Sequence, residues 1–356
     1  MIRSRQIASQ GPSWACLGRL CRCIFAGRSL LMPGVPPKPH QTDPQYQFAQ
    51  TGKPPGTQLP TRTPKVEVPF SRPFLKWAGG KTQLLPKLEQ YYPPTDSVNR
   101  YFEPFLGSGA VFFHFKAMVN PRSAFLWDNN LELVQTFQAV RDDVEKVIEL
   151  LREHETQHSK HSKDHFLKVR KIRVKKLAKP PEIAARLIYL NKTCFNGLYR
   201  VNSRGEFNVP FGKYLKPSIL NVEGLRRASG QLAGAEIADK DFRMVLCDAE
   251  AGDFVYLDPP YHPRSETAYF TSYTRDSFGE KDQRELAEVY RALDKKGCML
   301  VLSNSDTNLV KQLYKDFKEV KVSARRNINS RADRRGPIKE RLVVNDRLLE
   351  ACRVRR

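Results

Sequence analysis

Short apolar runs that stop at an acid, a glycine or a proline recur along the chain from about residue 70 onward. The densest is Phe254-Val255-Tyr256-Leu257, and the two prolines after Asp258 forbid its continuation, so residues 254–257 predict a short buried strand. Tyr101-Phe102 before a glycine loop, 124–127 closed by Asp128, 299–302 closed by Ser303-Asn304, and stretches near 319–323 and 341–345 predict further strands. Helices are expected from Ala110 onward, over 131–139 and 283–293, and near 306–316. Strands alternating with helices predict an α/β fold with a doubly wound, mostly parallel, Rossmann-like sheet. About 130 residues separate Asp128 from Asp258, far more than one crossover needs, so a helical and hairpin insertion is expected there.

The strand 254–257 delivers Asp258-Pro259-Pro260-Tyr261 to the carboxyl edge of the sheet, where open α/β folds bind ligands. An exocyclic amine is a poor nucleophile because its lone pair is delocalised into the ring. Accepting its hydrogen bonds with the Asp258 carboxylate and the Pro259 carbonyl would restore nucleophilicity and offset the charge that develops during attack. Tyr261 offers a face for a flat base. Taken alone, the tetrapeptide also fits a plain turn with a surface carboxylate.

Gly79-Gly80-Lys81-Thr82 resembles the end of a P-loop, but that motif needs glycine at position 75, which is leucine. A turn that lets backbone approach a ligand, with Lys81 to pair a carboxylate, fits better. Glu103-Pro104-Phe105-Leu106-Gly107-Ser108-Gly109 then reads as the front of a mononucleotide-binding unit, with Glu103, Phe105, Gly107 and Gly109 as candidate cofactor contacts. Asp128, about 20 positions after that loop, is placed for ribose hydroxyls; its bland alternative is a helix N-cap. Asp241-Phe242 is a second acid-aromatic pair that could hold an adenine ring.

The 356 residues carry 60 Lys+Arg against 38 Asp+Glu, a formal charge of +22, which favours a polyanionic partner and above all nucleic acid. Anionic membrane is the rival, yet no apolar stretch of about 18 residues is present. Seven scattered cysteines form no C-x-x-C pair, so reduced thiols in a cytoplasmic protein are expected. Residues 1–42 are basic and free of acids, which suits either an organellar transit segment or translated upstream sequence before Met32. Eleven basic residues fall between Lys160 and Lys192, Arg186 among them, and predict a phosphate-tracking surface. A second basic stretch from Arg325 to Arg341 is expected to grip backbone phosphate. Residues 191–212 alternate aromatic, amide and arginine side chains with glycines, a mixture suited to reading base edges and wedging between bases.

In that order, F-L-K-W-A-G-G-K, F-E-P-F-L-G-S-G, D-N-N, D-F and D-P-P-Y resemble the motifs of the DNA adenine methyltransferase (Dam) family, in the arrangement of the alpha group of amino methyltransferases. The resemblance covers about residues 70–346. It implies methyl transfer from S-adenosyl-L-methionine to adenine N6 in double-stranded DNA, with the target base flipped out, because N6 inside a stacked duplex is closed to in-line attack. It further implies that Trp77, Lys81, Asp128 and Asp258 touch the cofactor, with Asp241 and Phe242 around its adenine. Asp258, Pro259 and Tyr261 would hold the flipped base, and Pro260 completes the motif.

The stretch from Asn196 to Tyr214 resembles members that methylate GATC. By that analogy Lys76, Leu198, Arg200 and Pro210 read bases, Phe195 and Asn196 fill or flank the vacated stack, and Tyr214 supports the contact. Phe195 stands where related enzymes are expected to carry tyrosine, so the wedge survives but a hydroxyl contact does not. The implied layout is a lead over 1–69, a catalytic part in 70–142 and 236–346, a target-recognition insert over 143–235 and a basic tail over 347–356. A monomer is expected, with a cognate restriction endonuclease as a candidate partner. RNA adenine methylation and an inactive DNA-binding relative are the alternatives. No clustered carboxylate or histidine pattern supports a metal site.

Overall fold

The computed structural model describes residues 71–177, 179–261, 278–325 and 337–353. The N-terminal lead, its transit or upstream readings and the cysteines at 16, 21 and 23 lie outside the described residues, as do Arg326, Arg331, Arg334 and Arg335.

The apolar runs become strands β1 (Arg100–Glu103), β2 (Ser123–Asp128), β3 (Glu236–Asp239), β4 (Phe254–Leu257), β5 (Met299–Ser305), β6 (Lys318–Arg325) and β7 (Pro337–Val344). They form one seven-stranded sheet in the order β3-β2-β1-β4-β5-β7-β6. The first five are mutually parallel, and β7 lies antiparallel between β5 and β6. Because side chains alternate across a strand, the central strands feed two cores. Tyr101, Phe254 and Tyr256 join the core on one face, and Phe102, Val255 and Leu257 that on the other. All four residues of β4 are buried, as expected for a parallel strand covered on both faces.

Helix α1 (Ala110–Met118) starts directly after Gly109, whose φ of 67° only glycine adopts readily. Next is α2 (Leu131–Asp142), where the Asn130 side chain accepts from the Leu133 N–H. Asn130, not Asp128, is therefore the N-cap, which leaves Asp128 committed elsewhere. Between β2 and β3 follow α3 (Val144–Lys171), bent at His161, α4 (Pro180–Thr193), which opens on prolines, and α5 (Val222–Leu232). One apolar cluster runs from Phe74 and Phe137 through Leu187, Ile188 and Leu190 to Leu232, so this insert packs onto the sheet's own core. After β4, α6 (Glu280–Lys296) covers the opposite face with Leu286, Val289, Tyr290 and Leu293, α7 (Asn308–Leu313) follows β5, and α8 (Asp346–Arg353) closes the described chain.

Several elements differ from expectation. Helix α6 outruns 283–293 at both ends, because Gly279 and Asp282 form its cap and Gly297, at φ 91°, stops it. Strand β5 continues through Ser303, Asn304 and Ser305, all buried although polar. Strand β3 was not expected: it sits at the sheet edge and buries only Ile237, too little for an apolar pattern.

Candidate active site and nucleic-acid surface

The carboxyl ends of β1, β2 and β4 meet where the strand order reverses direction, and a cavity of about 470 Å³ opens there. Trp77, Gly79, Gly80, Lys81, Glu103, Phe105, Gly107, Asp128 and the whole of Asp258-Pro259-Pro260-Tyr261 line it. Nine positions of the chain segment 77–108 and the two later acids are thus drawn together from residues up to 181 apart in sequence.

The Lys81 ammonium lies 2.6 Å from Asp258 Oδ1, with Lys81 3% and Asp258 19% exposed. It also donates to the Gly79 carbonyl at 2.8 Å and sits 4.8 Å from the centre of the Tyr261 ring. Burial pushes the Asp258 carboxyl up to about 6, against the opposing pull of Lys81; Glu340 adds a smaller upward push. Asp258 is therefore a carboxylate at neutral pH, held so by one cation in a dry setting. Asp128 accepts from the Gly107 N–H at 3.0 Å and from the Asn130 N–H at 3.0 Å, which fixes the glycine loop against the tip of β2. Burial nevertheless raises its pKa. Glu103, 2% exposed, accepts from the Tyr101 hydroxyl at 2.7 Å, and burial raises its pKa strongly.

Not every candidate reaches the cavity. Gly109 lies behind it, with Phe137 and Phe113 within 3.3 Å of where a Cβ would stand. Asp241 faces outward, accepting from the Arg243 backbone at 2.9 Å and pairing with its guanidinium at 2.7 Å. Phe242 is one ring removed: it stacks on Phe105, centroids 5.4 Å apart, and Phe105 lines the wall.

A second cluster adjoins the first through Lys76-Trp77. The Asn191 side chain accepts from the Lys76 N–H and donates to the Lys76 carbonyl, both at 2.8 Å, and donates to the Gly197 carbonyl at 3.0 Å. It thereby ties the start of the cavity wall to the loop after α4. On that loop Phe195 is 41% exposed, and its N–H donates to the Pro210 carbonyl at 2.8 Å. The Asn196 N–H donates to the Tyr214 hydroxyl, and Lys76 lies over the Tyr214 ring at 5.3 Å. Arg200 is exposed and crosses the hairpin to Asn208, while Leu198 packs partly into the core. Lys76, Phe195, Asn196, Pro210 and Tyr214 thus gather on one surface beside the cavity.

Two basic residues are not part of any phosphate-tracking surface. Arg186 is buried and pairs with Glu132 at 2.6 Å, and Arg341 is buried between Asp306 and Glu319. A buried charge needs a partner, and both found acids inside the protein rather than outside it. Tyr199 was also missed: it stacks on Trp77 at 5.1 Å and donates to Glu132 at 3.0 Å. Its partner Glu132 lies 67 positions away, so no local pattern marks it. Among the described residues no helix is long and apolar enough to cross a membrane.

A doubly wound sheet with a glycine loop after β1, an acid at the tip of β2 and D-P-P-Y after β4 defines a Rossmann-like methyltransferase fold. Residues 77–328 match the family described as D12 class N6 adenine-specific DNA methyltransferase. The chain is 41% identical over 280 residues to the type II methyltransferase M1.LlaDCHI of Lactococcus lactis subsp. cremoris, covering 77% of this chain and 95% of that protein. It is 41% identical over 285 residues to the type II methyltransferase M.MjaIII of Methanocaldococcus jannaschii, covering 77% and 99%. To the DNA adenine methylase of Escherichia coli K12 it is 32% identical over 274 residues, covering 77% and 95%. The chain belongs to the D12 class of N6 adenine-specific DNA methyltransferases.

Proposed function

We propose that this protein moves the methyl group of S-adenosyl-L-methionine to N6 of an adenine flipped out of double-stranded DNA, at GATC sites. The pair of buried Lys81 and partly buried Asp258, at 2.6 Å and inside the cavity at the sheet's reversal point, carries the reading. A cavity of about 470 Å³ suits an adenosyl-sized ligand, since small-molecule sites span about 300–1,000 Å³. Gly107 leaves room beside Trp77, where a Cβ would stand 3.1 Å from the indole, so the donor set and its cradle fit the cofactor. The bound cofactor supplies a methyl group on a positively charged sulfur, a good leaving group.

The protein's own part is alignment and electrostatics. Asp258 and the Pro259 carbonyl accept from the amine, concentrating its lone pair, and Tyr261 stacks on the ring. Lys81 keeps Asp258 ionised despite burial, so it remains an acceptor at neutral pH. Trp77, in the loop ahead of β1, and Asp128, at the tip of β2, would hold the cofactor. Phe195 fills the place the adenine leaves, with Lys76, Asn196, Leu198, Arg200 and Pro210 against neighbouring bases and Tyr214 supporting the loop.

Plasmid from a methylation-free host expressing this chain is digested with enzymes blocked by, or dependent on, methylated GATC. Resistance to the first and cleavage by the second are expected. N6-methyladenine at other sequences would overturn the GATC assignment, and none in DNA would overturn the activity. Methyl incorporation into duplex DNA but not structured RNA separates the RNA alternative.

A further inference from the structure

The two prolines after Asp258 have no N–H, so this turn cannot be anchored by its own backbone donors. The structure anchors it from behind. Gln283, on the first turns of α6 and fully buried, donates from Nε2 to the Pro260 carbonyl at 3.0 Å. Its Oε1 accepts from Asn304 Nδ2 at 2.9 Å, and Asn304, also fully buried, accepts on Oδ1 from the Ser305 backbone N–H at 2.8 Å. The direction of this chain is determined. A backbone N–H can only donate, so Asn304 must turn its oxygen towards Ser305 and its NH2 towards Gln283. Gln283 must then turn its oxygen to Asn304, which leaves its NH2 for Pro260.

Resting on the function proposed above, we infer that Gln283 and Asn304 are positioning residues for methyl transfer. They pin the Pro260 carbonyl and thereby hold the preceding Pro259 carbonyl and Asp258 in register with the amine. Neither touches the cavity: both act through the turn. The geometry also explains why a buried amide is tolerated near the end of β5: the relay gives both ends of the Asn304 side chain a partner, and an unpaired buried amide is costly.

Gln283→Leu keeps most of the volume and removes both hydrogen bonds. Asn304→Asp keeps the acceptor for Ser305 but presents oxygen to Gln283, which forces the glutamine to reverse and turn oxygen towards the Pro260 carbonyl. Single-turnover methyl transfer at saturating cofactor and duplex DNA is measured for both variants, beside their dissociation constants and melting midpoints. Transfer is expected to slow by about 10- to 100-fold, the size of effect that a small misplacement of a reacting group produces. Binding of DNA and of cofactor should stay within about threefold of wild type, and the double variant should be no slower than Gln283→Leu alone, because both act through one relay. A folded Gln283→Leu or Asn304→Asp protein that transfers methyl within about threefold of the wild-type rate overturns the inference, as does a double variant whose losses multiply. Failure of the wild-type protein to methylate adenine would instead sink the function on which it rests.

Discussion

Replacing Lys81 with methionine removes the ammonium 2.6 Å from Asp258 without emptying the space it fills. Asp258 already titrates near 6, because burial outweighs the pull of Lys81. An opposite charge at this range typically lowers a carboxyl pKa by about 1–3, so its loss should carry Asp258 to about 8. At pH 7.5 the ionised fraction then falls from about 0.97 to about 0.24, a roughly fourfold loss of the acceptor form, and at pH 9 it returns to about 0.9. The sign follows from the raised pKa: the competent carboxylate exists above the folded-state value and is lost as pH falls through it. Single-turnover methyl transfer at saturating cofactor and DNA, followed from pH 5 to 9.5, is the assay. Wild type should lose rate below about pH 6 and Lys81→Met below about pH 8, with the variant recovering in alkali. An unmoved acid limb in the variant, or a wild-type rate flat across pH 5–8, would refute the role given to this pair.

Asp258→Asn, which keeps the shape but not the charge, should slow transfer by at least about 100-fold, while fluorescence anisotropy finds duplex binding nearly unchanged. Equal loss of both would contradict the assignment. Arg186→Met leaves Glu132 buried without its cation and with only the Tyr199 hydroxyl as partner, so urea unfolding should show a loss of about 3–5 kcal/mol; a change under about 1 kcal/mol would mean that the ion pair does not hold the fold. Phe195→Ala touches a 41% exposed ring, so stability should move by less than about 0.5 kcal/mol. The fluorescence of 2-aminopurine placed at the target base should nevertheless report less flipping, and an undiminished signal would remove Phe195 from the wedge role.

The cavity's contents were legible in sequence because each piece is local. A glycine that must take positive φ, an apolar run stopped by two prolines and an acid at a strand tip are visible without knowing the fold; Lys81, Gly107, Asp128 and Asp258 stand out that way, while Trp77 was implied only by the family resemblance. Charge density was a poorer guide. Basic residues look alike along a chain, yet Arg186 and Arg341 are buried against acids from other elements while Lys160 and Lys163 are exposed.

What the chain alone determined is the set of chemical groups and the order of the strands that carry them, since local sterics and apolar spacing are written residue by residue. What only the tertiary structure decided is pairing. Lys81 meets Asp258 across 177 positions, and the Asn304–Gln283–Pro260 relay joins a strand end, a helix and a turn. Burial makes those pairings matter: a charge or amide removed from water is governed by whichever group the fold brings against it, and no local pattern names that group.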